Sequence, residues 1–366
     1  SGQSAPCTRF SLRLETYVDD PIAITSGAKP VRRRNFVVLA FCWLVLGLDL
    51  AFPKASIGTS GTWIGFTVQV LMDRVEVSVS SDKIEELTEI ATKSLSGHVV
   101  SIKDLRSYAG KCESIAGIIL MWKPFVSRLW AALNTPGTSR AGDSPPGTIW
   151  TAQIAQTLEW LLCFLDPKRN PHIDTSGALT RTWLLSAYLR KGVKTEIVWD
   201  ASPWGLGGIL LIEGKPVRWL ESALTDEDVR RFHHPIGSSK GQQTWECLAP
   251  LVCLRAWKDF WMNSRAELHT SGDNVTSLEM ILNGTGRGEG PSFISRELAL
   301  DLGDGAYRPA LVRHIPGVAN EAADFLSRIH QPDRLDSSWP KFLKDIAQTE
   351  VPARNADFYH VKLLTS

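Results

Sequence analysis

Four carboxylates, Asp200, Glu246, Asp273 and Asp324, each stand where the chain changes from one kind of element to another. Carboxylate oxygens are hard ligands of the kind magnesium prefers. Two such ions held about 4 Å apart activate a water on one side of a phosphodiester and stabilise the leaving oxygen on the other. Asp200 closes a strand-like run, 195–200, and a glycine-rich return, 205–211, follows it. Glu246 opens an apolar helical segment through Leu248, Ala249, Val252, Leu254 and Ala256, and Asp273 lies in Ser271-Gly272-Asp273-Asn274, where a strand-like stretch meets a helix-like one. Asp324 belongs to the run 314–328, read as a strand end, a turn at Pro316-Gly317 and a helix. Taken singly each acid fits a plainer role: Glu246 a first-turn residue favoured by the helix dipole, Asp273 a cap, Asp324 a surface acid. Taken jointly, with Asn274, Asn320 and the ending Ala323-Asp324-Phe325-Leu326-Ser327-Arg328, they point to one centre. Mutual repulsion would leave that centre metal-hungry.

Positioning these groups takes a fold of some size. The chain has 366 residues, 43% hydrophobic and 22% charged, enough for two folded domains or a little more. A net charge of +1 does not announce nucleic-acid binding by itself, so local patches such as Arg32-Arg33-Arg34 and Lys168-Arg169 would have to serve. Six cysteines without a Cys-X-X-Cys pair give neither a disulfide framework nor a zinc site and fit a reducing, intracellular location, cytoplasmic or nuclear. The apolar run 36–48 stops at Asp49, short of the roughly 20 residues needed to span a bilayer, and reads as a buried helix with no membrane role. No secretory leader and no initiating methionine open the chain, which reads as a fragment.

Strands and a helix are expected up to about residue 72, ending in an alternating stretch, Trp63, Gly65, Thr67 and Gln69 against Ile64, Phe66, Val68 and Val70. From Ser80 the period becomes helical: Ile84, Leu87, Ala91 and Leu95 share a face, Gly97 stops it, and Ser101 with Asp104 starts the next helix. That helix carries Leu105, Ala109, Cys112, Ala116 and Ile119 on one stripe and should kink or end at Pro124. Trp122 and Trp130 read as core residues, with base stacking as the alternative. Residues 134–149 form an exposed Pro/Gly linker, a helix follows through Leu158, Leu161, Leu162 and Leu165, and the glycines 284–290 form a loop without a phosphate-loop ending.

The order Asp, Glu, Asp, Asp with these flanks, from about Lys194 to His330, resembles the ribonuclease H domain of retroelement reverse transcriptases. Near the start, Tyr17-Val18-Asp19-Asp20 between Leu12, Leu14 and Ile22, Ile24 resembles the Tyr-X-Asp-Asp hairpin of the polymerase palm. Leu46-Gly47-Leu48 with Lys54, and Trp63-Ile64-Gly65-Phe66, are similar to that family's next two palm motifs in order; the final Ile-Pro-Gly-containing motif looks most like DIRS-type elements. The resemblance implies an RNase H-like α/β domain with a five-stranded mixed sheet and flanking helices, preceded by a partial palm and a helical thumb or connection. It divides the chain into palm 1–72, thumb/connection 73–165, nuclease 166–334 and a tail 335–366 without an assigned role. It also implies two magnesium or manganese ions, with Asp200 bridging, Glu246 and Asp273 helping to hold one and Asp324 the other. The substrate would be RNA in an RNA–DNA hybrid, the wider partner a template-primer, and Tyr17, Asp19, Asp20 and Lys54 a polymerase remnant.

Several residues depart from the family pattern. Pro250 follows Glu246 by one turn and should bend its helix and misplace the acid. Val318 and Ala319 occupy the turn where cellular relatives carry a loop histidine, with His314 before it, and Pro21 follows Asp20 directly. The fingers, the earlier palm motifs and the third polymerase aspartate would precede Ser1, so this chain alone should not polymerise. The competing readings are a decayed, non-catalytic nucleic-acid-binding remnant and a purely structural subunit.

Overall fold

A computed structural model describes residues 12–17, 20–48, 55–134, 138–139, 142–170, 175–184, 193–260, 266–303, 309–314, 320–332 and 339–361. The chain divides into two compact units, Ser1–Ser80 and Ser81–Ser366.

In the first unit, β1 (Leu12–Tyr17) and β2 (Asp20–Thr25) form an antiparallel hairpin with Tyr17 opposite Asp20. Tyr17 and Asp20 of the Tyr-X-Asp-Asp run therefore close this ladder as its last pair; Val18, Asp19 and Lys54 fall outside the described residues. Pro21 pairs with Thr16 in a two-stranded ribbon, where a missing ladder donor is tolerated. The helix α1 (Lys29–Val45) forms as expected but not as a buried one: Asn35 is its buried residue, while Val37 is 68% and Phe41 65% exposed. The apolar run 36–48 thus makes a helix without filling a core around it. Its length falls short of a membrane span, as does that of every described helix. β3 (Ser60–Trp63), β4 (Phe66–Val70) and β5 (Arg74–Val79) form an antiparallel meander. The alternating stretch read from the sequence is therefore a hairpin, broken at Ile64 and Gly65, whose φ angles of 45° and 80° suit a two-residue turn of the primed type.

The second unit opens with helices. α2 (Ser81–Ser96) buries Leu87 and Ala91, and β6 (Val99–Ser101) leads into α3 (Ile102–Ala116), capped by the Ser101 hydroxyl accepting from the Asp104 amide at 3.0 Å. Leu105, Ala109, Cys112, Ala116 and Ile119 are all buried, so the stripe faces the core. Pro124 plays the opposite part to the one expected. The helix has already ended at Ala116, and Pro124 sits in the first turn of α4 (Lys123–Asn134), where its missing N–H removes no helix bond. Within the 134–149 stretch, β7 (Thr148–Trp150) pairs with β6 and buries Ile149. α5 (Ala155–Leu165) then brings Trp160 and Phe164 against Phe125 and Trp122 in tilted and edge-to-face contacts 4.9–5.6 Å between centroids. Trp122 is a core residue, its indole donating to the Ala178 carbonyl at 2.8 Å. Trp130 is half-buried and donates to Glu113.

A six-stranded sheet follows. β8 (Val193–Ala201), β9 (Gly205–Ile212) and β10 (Lys215–Ala223) are an antiparallel meander; β11 (Ala266–Gly272) lies parallel to β8, and β12 (Pro309–His314) parallel to β11. This is the five-stranded mixed sheet with flanking helices that the sequence implies. A two-residue strand, β13 (Ala347–Gln348), extends it by pairing parallel to β10. Helices α6 (Asp226–Phe232), α7 (Gln242–Ala256), α8 (Val275–Asn283), α9 (Glu289–Gly303) and α10 (Glu321–Ser327) complete the layers. α7 is buried along most of its length, with Trp245 and Trp257 fully enclosed beside Trp199 of β8. The glycines of β9 make this packing possible on both faces. A Cβ at Gly208 would meet Cys253 of α7 at 2.4 Å, and one at Gly207 would meet the Ala323 carbonyl of α10 at 2.4 Å.

The tail is part of this unit. Arg354 is buried and donates to both Asp228 oxygens at 3.2 and 2.9 Å, to the Ser222 hydroxyl at 2.6 Å and to the Ala223 carbonyl. Asp228 in turn closes the capping box of α6 with Thr225 and accepts from the Tyr359 hydroxyl at 2.7 Å. Glu297 of α9 accepts from the His360 and Val361 amides, and Arg255 of α7 binds Glu297, Asp301 and the Phe358 carbonyl. Because the Asp228 carboxylate is fully buried, truncating its cation leaves an uncompensated charge. Arg354→Ala should cost about 3–5 kcal/mol in urea unfolding of the full chain; a change below about 1 kcal/mol would show that the tail is not integral.

Candidate metal centre

Asp200 sits near the carboxyl end of β8, paired across to Gly207 of β9, and is 3% exposed. Glu246 lies one turn into α7 and is 6% exposed, past the first-turn position the plainer reading gave it. Asp273 follows the last residue of β11 and is half-buried. It is not the cap of α8; Asn274 is, its side chain accepting from the Ser277 amide at 3.0 Å. One carboxylate oxygen from each of Asp200, Glu246 and Asp273 lies within 4.8 Å of the others. Pro250 does not displace Glu246, since α7 continues through it from Gln242 to Ala256 and the acid reaches the cluster.

Asp324, on α10, stands beside these three without joining that group. Its charge acts on Asp200, while its own Oδ1 accepts from Arg328 Nε at 2.6 Å. Of the four acids read from the sequence, the structure gathers three and holds the fourth alongside with a cation. Tyr17 and Asp20 are in the other unit, at the hairpin described above. Residues 315–319, which the sequence reads as a turn without the loop histidine of cellular relatives, lie outside the described residues.

Ser327 and Asn320, named above only within the joint pattern, together with Ser202 and Gln242, hold the acids in place. Ser327, fully buried on α10, lies 2.6 Å from Asp200 Oδ2 and 3.0 Å from the Asp324 carbonyl. Ser202 donates to the Ser327 carbonyl at 2.6 Å, and Asn320 Nδ2 to the Trp199 carbonyl at 3.0 Å, so α10 is bound to the end of β8 at two further points. Gln242 Nε2 donates to Glu246 Oε1 at 2.6 Å and to the Ala201 carbonyl at 2.7 Å, tying the start of α7 to the same strand end. The available sequence signal was spacing: Gln242 precedes Glu246 by four residues and Ser327 follows Asp324 by three, both one helical turn.

Burial pushes the Glu246 carboxyl up to about 9, with the Asp200 charge adding and the Gln242 hydrogen bond opposing. Burial likewise pushes Asp200 up to about 7; the Ser327 hydrogen bond opposes this, while the charges of Asp273 and Asp324 add to it. A cation would reverse these shifts. Among the described residues Glu246 Oε2 is buried without a hydrogen-bond partner, and the donor set is all carboxylate, so the residues fit a hard divalent ion such as magnesium.

No family model matches the chain, and neither does any curated protein. Among solved structures it is similar to the foamy viral protease-reverse transcriptase dRH in complex with ds DNA, at 13% identity and a TM-score of 0.33, covering 82% of this chain and 46% of that one. RNase H1 from the halophilic archaeon Halobacterium salinarum NRC-1 matches at 15% identity and a TM-score of 0.29, over 39% of this chain and 98% of that one. The foamy viral protease-reverse transcriptase in complex with RNA/DNA hybrid matches at 12% and 0.32, over 89% of this chain and 38% of that one. The chain spans about half or less of these foamy viral chains, and at such scores the likenesses carry no functional weight.

Both carboxyls titrate higher in the fold than in an unfolded chain, so the folded state holds extra protons between about pH 4 and the raised values of about 7 and 9. Stability contributed by these groups is therefore present at low pH and lost as pH rises through that window. In metal-free buffer the full chain should melt at least roughly 5 °C lower at pH 8.5 than at pH 6, with magnesium restoring much of the difference and Asp200→Asn reducing it. A melting temperature that rises over this range would contradict the arrangement.

Proposed function

We propose that this chain is a retroelement reverse transcriptase fragment, of a DIRS-like or related element, whose α/β domain cleaves the RNA strand of RNA–DNA hybrids. The single observation that carries this reading is the convergence of Asp200, Glu246 and Asp273 from a strand end, a helix and a second strand end onto one buried point, with Asp324 beside it. The chemistry is phosphodiester hydrolysis. Divalent ions, when bound to these carboxylates, supply the activated water and stabilise the leaving oxygen.

The chain's own part is positioning and charge. Ser327 fixes one oxygen of Asp200 and Gln242 one oxygen of Glu246, leaving Glu246 Oε2 facing no protein donor among the described residues. Asp200, Glu246 and Asp273 would hold one ion, and Asp324 would serve a second. Water is kept from Asp200 and Glu246 by burial, and the nucleic acid approaches from the side of the half-buried Asp273 and Asp324.

The test is incubation of the full chain with a labelled RNA–DNA hybrid, with and without magnesium or manganese. Metal-dependent cutting of the RNA strand is expected. Asp200→Asn should lower the rate at least roughly a hundredfold, the loss of about 2.7 kcal/mol of transition-state stabilisation. A folded chain that binds the hybrid equally well without metal and never cuts it would instead establish the non-catalytic remnant.

A further inference from the structure

Arg328, the C-cap residue of α10, lies one helical turn past Asp324, and the guanidinium meets the carboxylate through a single contact, Nε to Oδ1 at 2.6 Å. Both side chains are close to half exposed, 45% and 41%. Exposed pairs at this spacing are weak and readily exchanged with solvent. The buried pairs of this fold are of another kind: Arg354 and Arg255 each bind several acceptors and are enclosed. What distinguishes Arg328 is its neighbourhood. Its positive charge acts on Asp324 first and then on Asp200 and Glu246, so the guanidinium is placed to answer the charge of these three acids.

We infer that Arg328 is a built-in counter-cation of this centre, holding Asp324 until a second divalent ion displaces it and so setting the affinity for that ion. The inference rests on the nuclease reading above and adds the order in which the centre fills. A first ion meets Asp200, Glu246 and Asp273, whose nearest oxygens already lie together. A second ion at Asp324 must take Oδ1 from the guanidinium and tolerate a positive charge beside it, so it binds more weakly. The single-point, half-exposed contact makes displacement feasible, where a forked buried pair would forbid it. Arg328 touches neither the first three carboxylates nor, on this account, the reacting atoms; it is a positioning residue that acts through Asp324.

The experiment is calorimetric titration of the full chain with manganese alone, comparing the unaltered protein with Arg328→Gln and Arg328→Lys, each checked for folding by circular dichroism. Two unequal sites are expected. Arg328→Gln should tighten the weaker one roughly three- to tenfold and change the stronger one less than about twofold, while Arg328→Lys stays close to the unaltered protein. Two sites in Arg328→Gln where the unaltered chain shows one would support the inference equally. An unchanged or weakened second site in Arg328→Gln, or one site in both proteins, would overturn it and leave the nuclease reading standing. A chain that binds no manganese at all would overturn the nuclease reading itself, and the inference with it. A merely structural ion pair predicts lower melting temperature and no change in either affinity.

Discussion

Two carboxylates with little access to water, and a third within reach, are held in a space where their charges repel and their hydration is lost. Everything around Asp200 and Glu246 can be understood as making that arrangement tolerable. Each acid receives one short hydrogen bond, from Ser327 or Gln242, and each of those partners belongs to a helix tied to the backbone at the end of β8. These anchors require helices to approach strands closely. The glycines of β9 supply that closeness: Gly207 admits α10 on one face and Gly208 admits α7 on the other. A side chain at either position would push a helix away and with it the donor that steadies an acid. The glycine-rich return that follows Asp200 is thus part of the same constraint as Asp200 itself.

Charge is handled in two ways in this unit, and burial decides which. Asp228, Arg354, Tyr359 and Glu297 lie inside, Arg255 is mostly enclosed, and each ion there has several partners. Such networks fix geometry, because removing any member leaves a bare charge in a low-dielectric interior. They join α6, α7, α9, the edge of β10 and the tail into one frame. Arg328 and Asp324 stand at the opposite extreme, exposed and singly bonded. A frame that is rigid through its buried ions can present a centre whose outermost ion pair is free to exchange.

The three acids that meet could be named from the sequence because they stand near element ends, Asp273 for one between a strand and a helix, and the five-stranded sheet because the order of the acids resembles that of a known domain. The residues that aim the acids were not legible as such. Gln242 and Ser327 are ordinary polar residues until the sheet places Ala201 and Asp200 opposite them, and that placement depends on contacts across 41 and 127 positions of chain. Pro124 was misread because propriety at a first turn and breakage in a helix middle look alike until the preceding helix is known to end at Ala116. The apolar run in α1 was read as buried from composition alone, yet hydrophobicity shows what a helix would gain from burial and not what is present to bury it. The tail offered no period to read, since it is held by single long side chains, Arg354 above all, and by backbone amides.

The raised carboxyls connect the centre's occupancy to the stability of the fold. With Glu246 pushed to about 9 and Asp200 to about 7, the metal-free centre at neutral pH carries protons where a cation would otherwise sit. An ion that enters must therefore release protons, and its apparent affinity rises with pH through the same window in which the metal-free fold weakens. The two tendencies have one origin, the cost of placing anions close together away from water. Conditions that destabilise the empty domain are for that reason those that favour loading it, and loss of a carboxylate at this centre relieves the empty fold as it removes the site.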